Sequence, residues 1–211
     1  RKIVAIARSH GMRVLGPNIF GLYSSASSLN STFSATGVQP GRVAILTQSG
    51  ALGIALIGKT AVENIGLSAI VSIGNKCDID EADLLDYLVG HEETGVILMY
   101  IEGVKSGERL IEALMRTTDR KPVVVIKSGR SMRGAMAAAS HTGSLAGSDE
   151  IFDAIMKQCG VIRADSIDEA FNWCKFLAFT PKPKGNKSVI ITNGGGVGVM
   201  ATDACERYDI D

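Results

Sequence analysis

A histidine in a loop of mostly small residues is the side chain of this sequence best placed to react. His141 lies in the run Ser140–Gly147, between an apolar run and an amphipathic segment. The stretch from Ser128 to Ser148 is long for a loop inside a compact domain, and such loops usually carry function. An imidazole attacks phosphoryl groups when one nitrogen is neutral and exposed while an acceptor orients the other. His141 is therefore the candidate nucleophile, with a structural histidine as the alternative.

A carboxylate is the natural group to orient that imidazole, and Glu102 is the candidate. It follows the apolar run Val96–Ile101 and precedes Gly103. Ligands of α/β proteins bind at the carboxyl ends of strands, which is where this residue falls. A solvated loop glutamate is the alternative. A second acidic group follows Lys76, and most of its members are expected to be charges at a helix start, with Asp80 as the N-cap.

Two small-residue turns, each between an apolar run and a helix, have the composition of anion-binding sites. One follows Val43–Thr47 and the other follows Val189–Thr192. Backbone N–H groups and the positive end of the helix dipole point out of such a turn, and both attract an anion. Tight packing is the alternative reason for small residues here. The turns contain Ser49, Gly50 and Ala51, and Gly194, Gly195 and Gly196.

The residues at fixed offsets in these turns argue against three better-known sites. A hydrolase nucleophile elbow needs G-x-S-x-G, but Thr47 and Ala51 stand at the glycine positions around Ser49. A dinucleotide fingerprint needs G-x-G-x-x-G, and Val199 occupies its last glycine position. The lysine of a Walker A motif is missing from both turns. The two turns are therefore predicted to bind phosphate groups, and their sequence does not specify which phosphorylated ligand.

The elements that position these residues follow from the hydrophobic pattern. From Arg42 onward, short apolar runs alternate with amphipathic ones, which predicts a parallel sheet wrapped by helices. Ser166–Glu169 has the pattern of a capping box that begins a helix. Strands are predicted at Val43–Thr47, Ala69–Ile73, Val96–Ile101, Val123–Ile126 and Val189–Thr192, and helices from Gly50, over Asp80–Leu88, over about Gly107–Thr117, along Ile151–Met156 and from Gly194.

The composition divides the chain into four parts. Residues 1–37 are expected to be the end of a preceding domain, and residues 38–179 the main α/β domain. Residues 180–187 have the Pro, Gly and Lys content of a linker, and residues 188–211 begin another domain. Because Arg1 to Ile6 has the pattern of a helix interior and the chain does not begin with Met, we expect it to be an excised piece of a longer protein.

Charge and composition exclude two classes of partner. The 211 residues carry 22 Lys and Arg against 22 Asp and Glu, which predicts neither nucleic-acid binding nor an anionic membrane partner. No apolar run approaches the roughly 20 residues that span a bilayer. The four cysteines are widely spaced without a C-x-x-C pair, so we expect reduced thiols in a cytoplasmic protein. The 24 glycines fit a backbone that approaches ligands closely.

Taken together, these segments resemble the NDP-forming acyl-CoA synthetases, the superfamily that includes succinyl-CoA synthetase and ADP-forming acetyl-CoA synthetase. The resemblance runs through nearly the whole chain, and its most specific part is the phosphohistidine loop. The matching segments are Gly16-Pro17-Asn18, Thr47–Gly53, Ser72–Lys76 with Asp78, Asp80 and Asp83, Lys127–Arg130 with Ser140–Gly143, and Asn193–Gly198.

The resemblance implies a flavodoxin-like, doubly wound parallel-sheet ligase domain over 38–179, flanked by partial α/β domains. Residues 1–37 would end a CoA-binding Rossmann-like domain, and 188–211 would begin a second flavodoxin-like domain. His141 would carry a phosphoryl group from ATP to a carboxylic acid, and CoA would then attack the acyl phosphate. Glu102 would orient the imidazole, and Pro17 and Asn18 would contribute to CoA binding. The two turns, around Ser49 to Ala51 and Gly194 to Gly196, would hold the phosphoryl group.

The same resemblance implies the ligands and partners. They are CoA, ADP or ATP, phosphate, a small carboxylic acid or its acyl-CoA, and Mg²⁺ bound with the nucleotide. The nucleotide and Mg²⁺ would be held by an ATP-grasp subunit or domain that this sequence does not contain, within an oligomer. The chain alone is therefore not expected to catalyse the complete reaction.

One departure from the family and two alternatives remain. Family members often have Cys after Pro-Asn, where this chain has Ile19, which leaves that contact near the CoA thiol open. The first alternative is an acyl-CoA-sensing module of a protein acetyltransferase; such modules often lack the histidine that His141 supplies. A nicotinamide-linked oxidoreductase is the second.

Overall fold

The computed structural model describes residues 2–33, 37–134, 136–137, 148–181 and 183–211. The chain divides into two compact units, Arg1–Phe179 and Thr180–Asp211. His141 lies, with the rest of 138–147, outside the described residues. The four cysteines are free thiols, as expected.

Strands and helices alternate along the first unit from residue 40 onward. Within the described residues, none of the helices is long and apolar enough to cross a membrane. The strands are β1 Gly21–Ser24, β2 Leu29–Thr32, β3 Pro40–Thr47, β4 Leu67–Ser72, β5 Val96–Ile101, β6 Val123–Lys127 and β7 Ile162–Ala164. The helices of this unit are α1 Lys2–Ser9, α2 Gly50–Val62, α3 Glu81–Val89, α4 Gly107–Thr118, α5 Asp149–Gln158 and α6 Ile167–Phe179, and the second unit contains α7 Gly195–Arg207.

The seven strands form one mixed sheet in the order β2-β1-β4-β3-β5-β6-β7. The five strands from β4 to β7 are parallel, and in chain order their arrangement is 2-1-3-4-5, the flavodoxin-like order. The hairpin β1–β2 extends the β4 edge with antiparallel pairing. The predicted α/β fold with a doubly wound parallel sheet is therefore confirmed. The order in which strands are added to the sheet reverses between β3 and β5, and such folds bind ligands in the crevice at the carboxyl ends of these two strands.

Helices cover both faces of the sheet. Along β5, Ile97 and Met99 face one hydrophobic cluster, and Val96 and Leu98 face the other. The first cluster packs against α3, α4 and α5, and the second packs against α2 and α6. Burial on both faces explains why the strands have continuous apolar runs rather than alternating ones.

Most predicted elements are confirmed, with small differences at their ends. β5 spans the predicted residues, and β3 and β4 begin earlier than predicted. α2 begins at Gly50, with Ser49 as its N-cap. Asp80 caps α3, because its Oδ1 accepts hydrogen bonds from the backbone N–H of Ala82 at 3.0 Å and of Asp83 at 3.2 Å.

Two local predictions are wrong in whole or in part. Val189–Thr192 forms no strand within the described residues of the second unit, since a strand exists only where a neighbouring chain segment pairs with it. The capping box at Ser166 forms only in one direction. Its Oγ accepts from the N–H of Glu169 at 3.1 Å, but the Glu169 carboxylate accepts from the N–H of Asp165 at 2.6 Å.

A buried carboxylate joins the amino-terminal segment to the loop after β4. The Asp78 side chain is fully buried and accepts from the backbone N–H of Val14 at 2.8 Å and from Nε of Arg13 at 3.0 Å and of Arg8 at 2.9 Å. These donors, the Val14 N–H first, hold the pKa of Asp78 well below its usual range. The contact fixes residues 8–14 against the main domain, although they lie on opposite sides of the predicted boundary at residue 37.

Replacing Asp78 by Asn is expected to lower the melting temperature at neutral pH. The folded-state pKa of Asp78 lies below the unfolded value of about 3.9, so its stabilising contribution is present above that pH. The contribution is lost as the pH falls toward the folded-state pKa. In the variant, Tm should therefore fall less steeply with acidification below roughly pH 5 than in the wild type.

Thermal unfolding followed by circular dichroism across this pH range measures the effect. Asp86→Asn is the matched control, because Asp86 pairs with Arg116 at 2.8 Å on the exposed surface and contributes little. Equal losses of Tm in the two variants would contradict the role assigned to Asp78.

Candidate active site

The candidate site lies at the carboxyl ends of β3 and β5. These two strands are neighbours in the sheet, and the helices that follow them cover opposite faces. A crevice therefore opens between the turn after Thr47 and the loop after Ile101. It has a volume of about 510 Å³. We call it the polar cleft.

The polar cleft brings together residues that are far apart in the sequence. Among the residues predicted from sequence, it is lined by Asn18, Ser49, Gly50, Ala51 and Glu102. It is also lined by Gln48, Gly74, Asn75, Lys76, Gly103 and Lys105, to which the sequence analysis assigned no role in the site. The predicted phosphate turn and the predicted orienting carboxylate therefore share one cavity.

The turn at the start of α2 presents backbone donors to this cleft. The Ser49 Oγ accepts from the N–H of Leu52 at 3.3 Å, so the hydroxyl caps the helix rather than pointing away from it. The N–H groups of Gly50 and Ala51 belong to the first turn, where a helix supplies no acceptor of its own. A Cβ added at Gly50 would meet no atom within 4 Å, so the space above the turn is open. The arrangement suits an anion.

A threonine hydroxyl braces this turn, and sequence reasoning missed it. The Thr47 Oγ1 accepts from the N–H of Ser49 at 3.1 Å and donates to the Ser49 carbonyl at 2.9 Å. The second unit has the same arrangement: the Thr192 Oγ1 accepts from the N–H of Gly194 at 3.0 Å and donates to its carbonyl at 3.3 Å. The signal was present, since each small-residue turn begins two residues after a threonine that ends an apolar run.

In the second unit the predicted turn begins α7. Gly194 is the N-cap of that helix, with an extended backbone conformation. A Cβ at Gly195 or Gly196 would meet no atom within 4 Å, so both positions are open. The turn has the local geometry of the first one, with glycine in place of the capping serine.

The side chain of Gln48 connects the ends of β3 and β5. Its Oε1 accepts from the backbone N–H of Glu102 at 2.9 Å and of Gly103 at 3.0 Å. Its Nε2 donates to the Gly103 carbonyl at 2.9 Å and to the Glu81 carboxylate. Gln48 is only 9% exposed, so these bonds form out of water. They determine where the Glu102 backbone lies relative to the phosphate turn.

A buried ion pair supports the floor of the polar cleft. The Lys76 ammonium contacts the Glu81 carboxylate at 2.7 Å, and the side chains are 7% and 4% exposed. Lys76 also donates to the Gly103 carbonyl at 2.7 Å. Glu81 belongs to the acidic group after Lys76, most of which was expected to be helix-start charges, and for Glu81 this interpretation is incomplete. The residue does stand in the first turn of α3, but a buried charge needs partners, and Gln48 and Lys76 supply them.

Glu102 is half-buried at the carboxyl end of β5, where it lines the polar cleft. Its backbone carbonyl accepts from the Lys127 ammonium at 3.3 Å. Burial raises the pKa of the adjacent Tyr100, an effect that a Ser128 hydrogen bond opposes and the Glu102 charge reinforces. The residue is therefore anchored through its backbone and lines the cavity.

The amino-terminal segment closes one side of the cleft through its backbone. Asn18 lines the cavity, and its Nδ2 donates to the Asn75 Oδ1 at 3.4 Å. Pro17 contributes its carbonyl, which accepts from the N–H of Asn75 at 2.9 Å. Gly74 has φ +57°, and a Cβ there would come within 2.3 Å of the carbonyl oxygens of Pro17 and Asn18. Only glycine permits this close approach.

Comparison with known proteins identifies relatives over nearly all of the chain. The family described as succinyl-CoA ligase like flavodoxin domain matches residues 40–177. The alpha subunit of ADP-forming acetate–CoA ligase I from Pyrococcus furiosus is 58% identical over 207 residues, which cover 98% of this chain and 45% of the relative. The ADP-forming 4-hydroxybutyrate–CoA ligase of Nitrosopumilus maritimus is 41% identical and covers 100% of this chain and 31% of the relative.

A solved structure shares the fold over the same extent. The dinucleotide-forming acetyl-coenzyme A synthetase 1 of Ca. Korarchaeum cryptofilum, in complex with phosphate and ADP, has a TM-score of 0.92 and 50% identity. The match covers 99% of this chain and 46% of that one. The chain thus spans less than half the length of these relatives, and the resemblance to the NDP-forming acyl-CoA synthetases is confirmed.

Replacing Gln48 by Ala is expected to lower the free energy of unfolding by roughly 1–3 kcal/mol, because buried N–H groups of Glu102 and Gly103 lose their acceptor. Guanidinium-induced unfolding measures the change. Gln158→Ala, on an exposed position at the end of α5, is the control and should stay within about 0.5 kcal/mol of the wild type. If both variants have the same stability, Gln48 does not hold the two strand ends together.

Proposed function

The chain belongs to the family of succinyl-CoA ligase-like flavodoxin domains, and from this we propose that it is the phosphoryl-carrying part of an ADP-forming acyl-CoA synthetase. The reaction interconverts an acyl-CoA, ADP and phosphate with the carboxylic acid, CoA and ATP. The observation that carries the proposal is the polar cleft, which is lined both by the amino terminus of α2 and by Glu102. A turn suited to binding an anion and a carboxylate able to orient an imidazole therefore line the same cavity.

The proposed chemistry has three transfers. A neutral nitrogen of His141 attacks the terminal phosphorus of ATP, and the bond from that phosphorus to the ADP oxygen breaks. A carboxylate oxygen of the acid then attacks the same phosphorus, and the N–P bond breaks to restore the imidazole. Finally the CoA thiolate attacks the acyl carbon, and phosphate leaves. Each transfer runs in both directions.

Within this scheme the described residues have distinct tasks. The N–H groups of Gly50 and Ala51 would hold the phosphoryl oxygens at the start of α2, while Ser49 caps the helix and donates its own N–H to Thr47. The Glu102 carboxylate would accept a hydrogen bond from the other ring nitrogen of His141 and stabilise the positive charge on the phosphorylated imidazole. The turn Gly194–Gly196 would hold the phosphoryl group in the same way in the second unit. The role proposed for the second turn is supported by the threonine-braced geometry that both turns share.

The remaining ligands would be bound with the help of residues outside this chain. Asn18, beside Pro17, lies at the cleft wall and would contribute to binding CoA. The nucleotide, with its Mg²⁺, would be held by an ATP-grasp subunit or domain, in keeping with a relative that is named as an alpha subunit. That the relatives are named as CoA ligases favours this enzyme over an acyl-CoA-sensing module.

Incubation with radiolabelled ATP, Mg²⁺ and the nucleotide-binding partner is expected to give an acid-labile phosphorylated protein. His141→Ala should abolish the label, because no other group in the scheme carries phosphate. His10→Ala, an exposed histidine at the end of α1, is the matched control and should keep it. Labelling that survives in the His141 variant would overturn the proposal.

Replacing Glu102 by Gln should slow phosphorylation of His141 roughly tenfold to a hundredfold, because the amide retains the shape but not the charge that orients and stabilises the imidazole. Rapid-quench measurement of the labelling rate tests this. Glu108→Gln, an exposed glutamate in the first turn of α4, should leave the rate unchanged. An unaltered rate in the Glu102 variant would remove this residue from the mechanism.

A further inference from the structure

Lys105 places an ammonium group at the wall of the polar cleft. The residue belongs to the loop between β5 and α4 and lines the cavity together with Glu102 and the first turn of α2. Its Nζ donates to the backbone carbonyls of Asn75 at 2.6 Å and of Lys76 at 2.8 Å. Lys105 therefore reaches from the loop after β5 to the loop after β4, and two hydrogen bonds hold its charge at the cavity.

The hydrogen bonds of this ammonium leave one donor for a ligand. A lysine ammonium has three N–H donors and no acceptor. Two of them go to carbonyls of the loop after β4, and among the described residues the third has no acceptor. The side chain is exposed, so a ligand that enters the cleft can reach it. Because the two carbonyls already hold the ammonium in place, binding would cost little further ordering of the side chain.

The charge of Lys105 is not matched by a carboxylate. Among the described residues, no carboxylate oxygen lies within ion-pair distance of its Nζ, whereas Lys76, which lines the same cleft, contacts Glu81 at 2.7 Å. The residues outside the described ranges include no Asp or Glu, so none of them supplies a carboxylate either. Lys105 is thus the cation of the polar cleft that is available to an anionic ligand.

The proposed function places like charges together in this cavity. A phosphoryl group carries about two negative charges near neutral pH, and the Glu102 carboxylate that lines the cleft adds another. Like charges that share a site repel one another. The N–H groups at the start of α2 offset this repulsion only with partial charges. A full positive charge at the same wall would offset it further.

We infer that Lys105 is a phosphate-binding residue of the polar cleft, where its ammonium donates the remaining N–H to a phosphoryl group that lies beside the Glu102 carboxylate. This inference rests on the proposed function, since it adds a cation to the phosphoryl site of that reaction. It gives the two side chains opposite effects: Lys105 strengthens phosphate binding, and Glu102 weakens it. A lysine that merely supported its loop would not show this opposition.

Equilibrium binding of inorganic phosphate to the full-length protein, measured by isothermal titration calorimetry, tests the residue without requiring turnover. Every protein in the series carries His141→Ala, so that the imidazole charge does not contribute. Lys105→Met should weaken phosphate binding roughly tenfold, as expected for a lost charged hydrogen bond. The affinity of this variant should also depend less steeply on salt concentration. Lys105→Arg should retain most of the affinity, because it keeps the charge and binds phosphate well.

Glu102→Gln is the second variant, and it should strengthen phosphate binding, because it removes the repelling charge and keeps the shape. Lys121→Met is the matched control. Its ammonium likewise donates to two backbone carbonyls, of Leu88 and His91, but it does not line the polar cleft. That variant should bind phosphate like the parent protein. Phosphate bound at the turn before α7 is common to the whole series and cancels in the comparison.

Two outcomes would overturn the inference: phosphate affinity that Lys105→Met leaves unchanged, or equal weakening by Lys105→Met and Lys105→Arg. Labelling of His141 in the wild type separates this failure from failure of the proposed function. Labelling together with phosphate binding that is independent of Lys105 would leave the synthetase assignment standing and remove Lys105 from it. Phosphate binding that depends on Lys105, without labelling, would leave an anion site in a protein that is not a synthetase.

Discussion

The buried amide of Gln48 is the contact on which the arrangement of the candidate site depends. It stands where two parallel strands end side by side and the helices that follow them leave to opposite faces. Nothing in a parallel ladder determines how the loops beyond it are oriented, so a side chain must do it. Gln48 does so by bonding the backbone of Glu102 and Gly103 and the carboxylate of Glu81. Because every one of these groups is buried or half-buried, losing one partner leaves the others unsatisfied, which is why the network holds a single geometry.

Around this contact the protein prepares an anion site chiefly from backbone N–H groups. Thr47 braces the turn that opens α2, Ser49 caps the helix, and Gly50 leaves the space above it open. The lysine of the polar cleft floor, Lys76, is neutralised by Glu81. In the proposed function this turn would hold the phosphoryl group through backbone N–H groups, and the Lys105 ammonium that lines the same cleft donates to the carbonyls of Asn75 and Lys76. The same threonine-braced turn recurs at Gly194 in the second unit, which therefore has the same local backbone geometry for an anion.

The sequence by itself determined most of the helices and strands. Strands buried on both faces must be continuously apolar, so the parallel sheet and most helix starts followed from the hydrophobic pattern, and capping identified Asp80. The tertiary structure alone decided what pairs with what. Glu81 became a buried partner of Gln48 and Lys76, and Val189–Thr192 formed no strand with any of the described residues. His141 lies outside the described residues, and its role stays a prediction. The physical reason is range: propensity and capping act within a few residues, whereas strand pairing, burial and charge compensation depend on neighbours that are remote in the sequence.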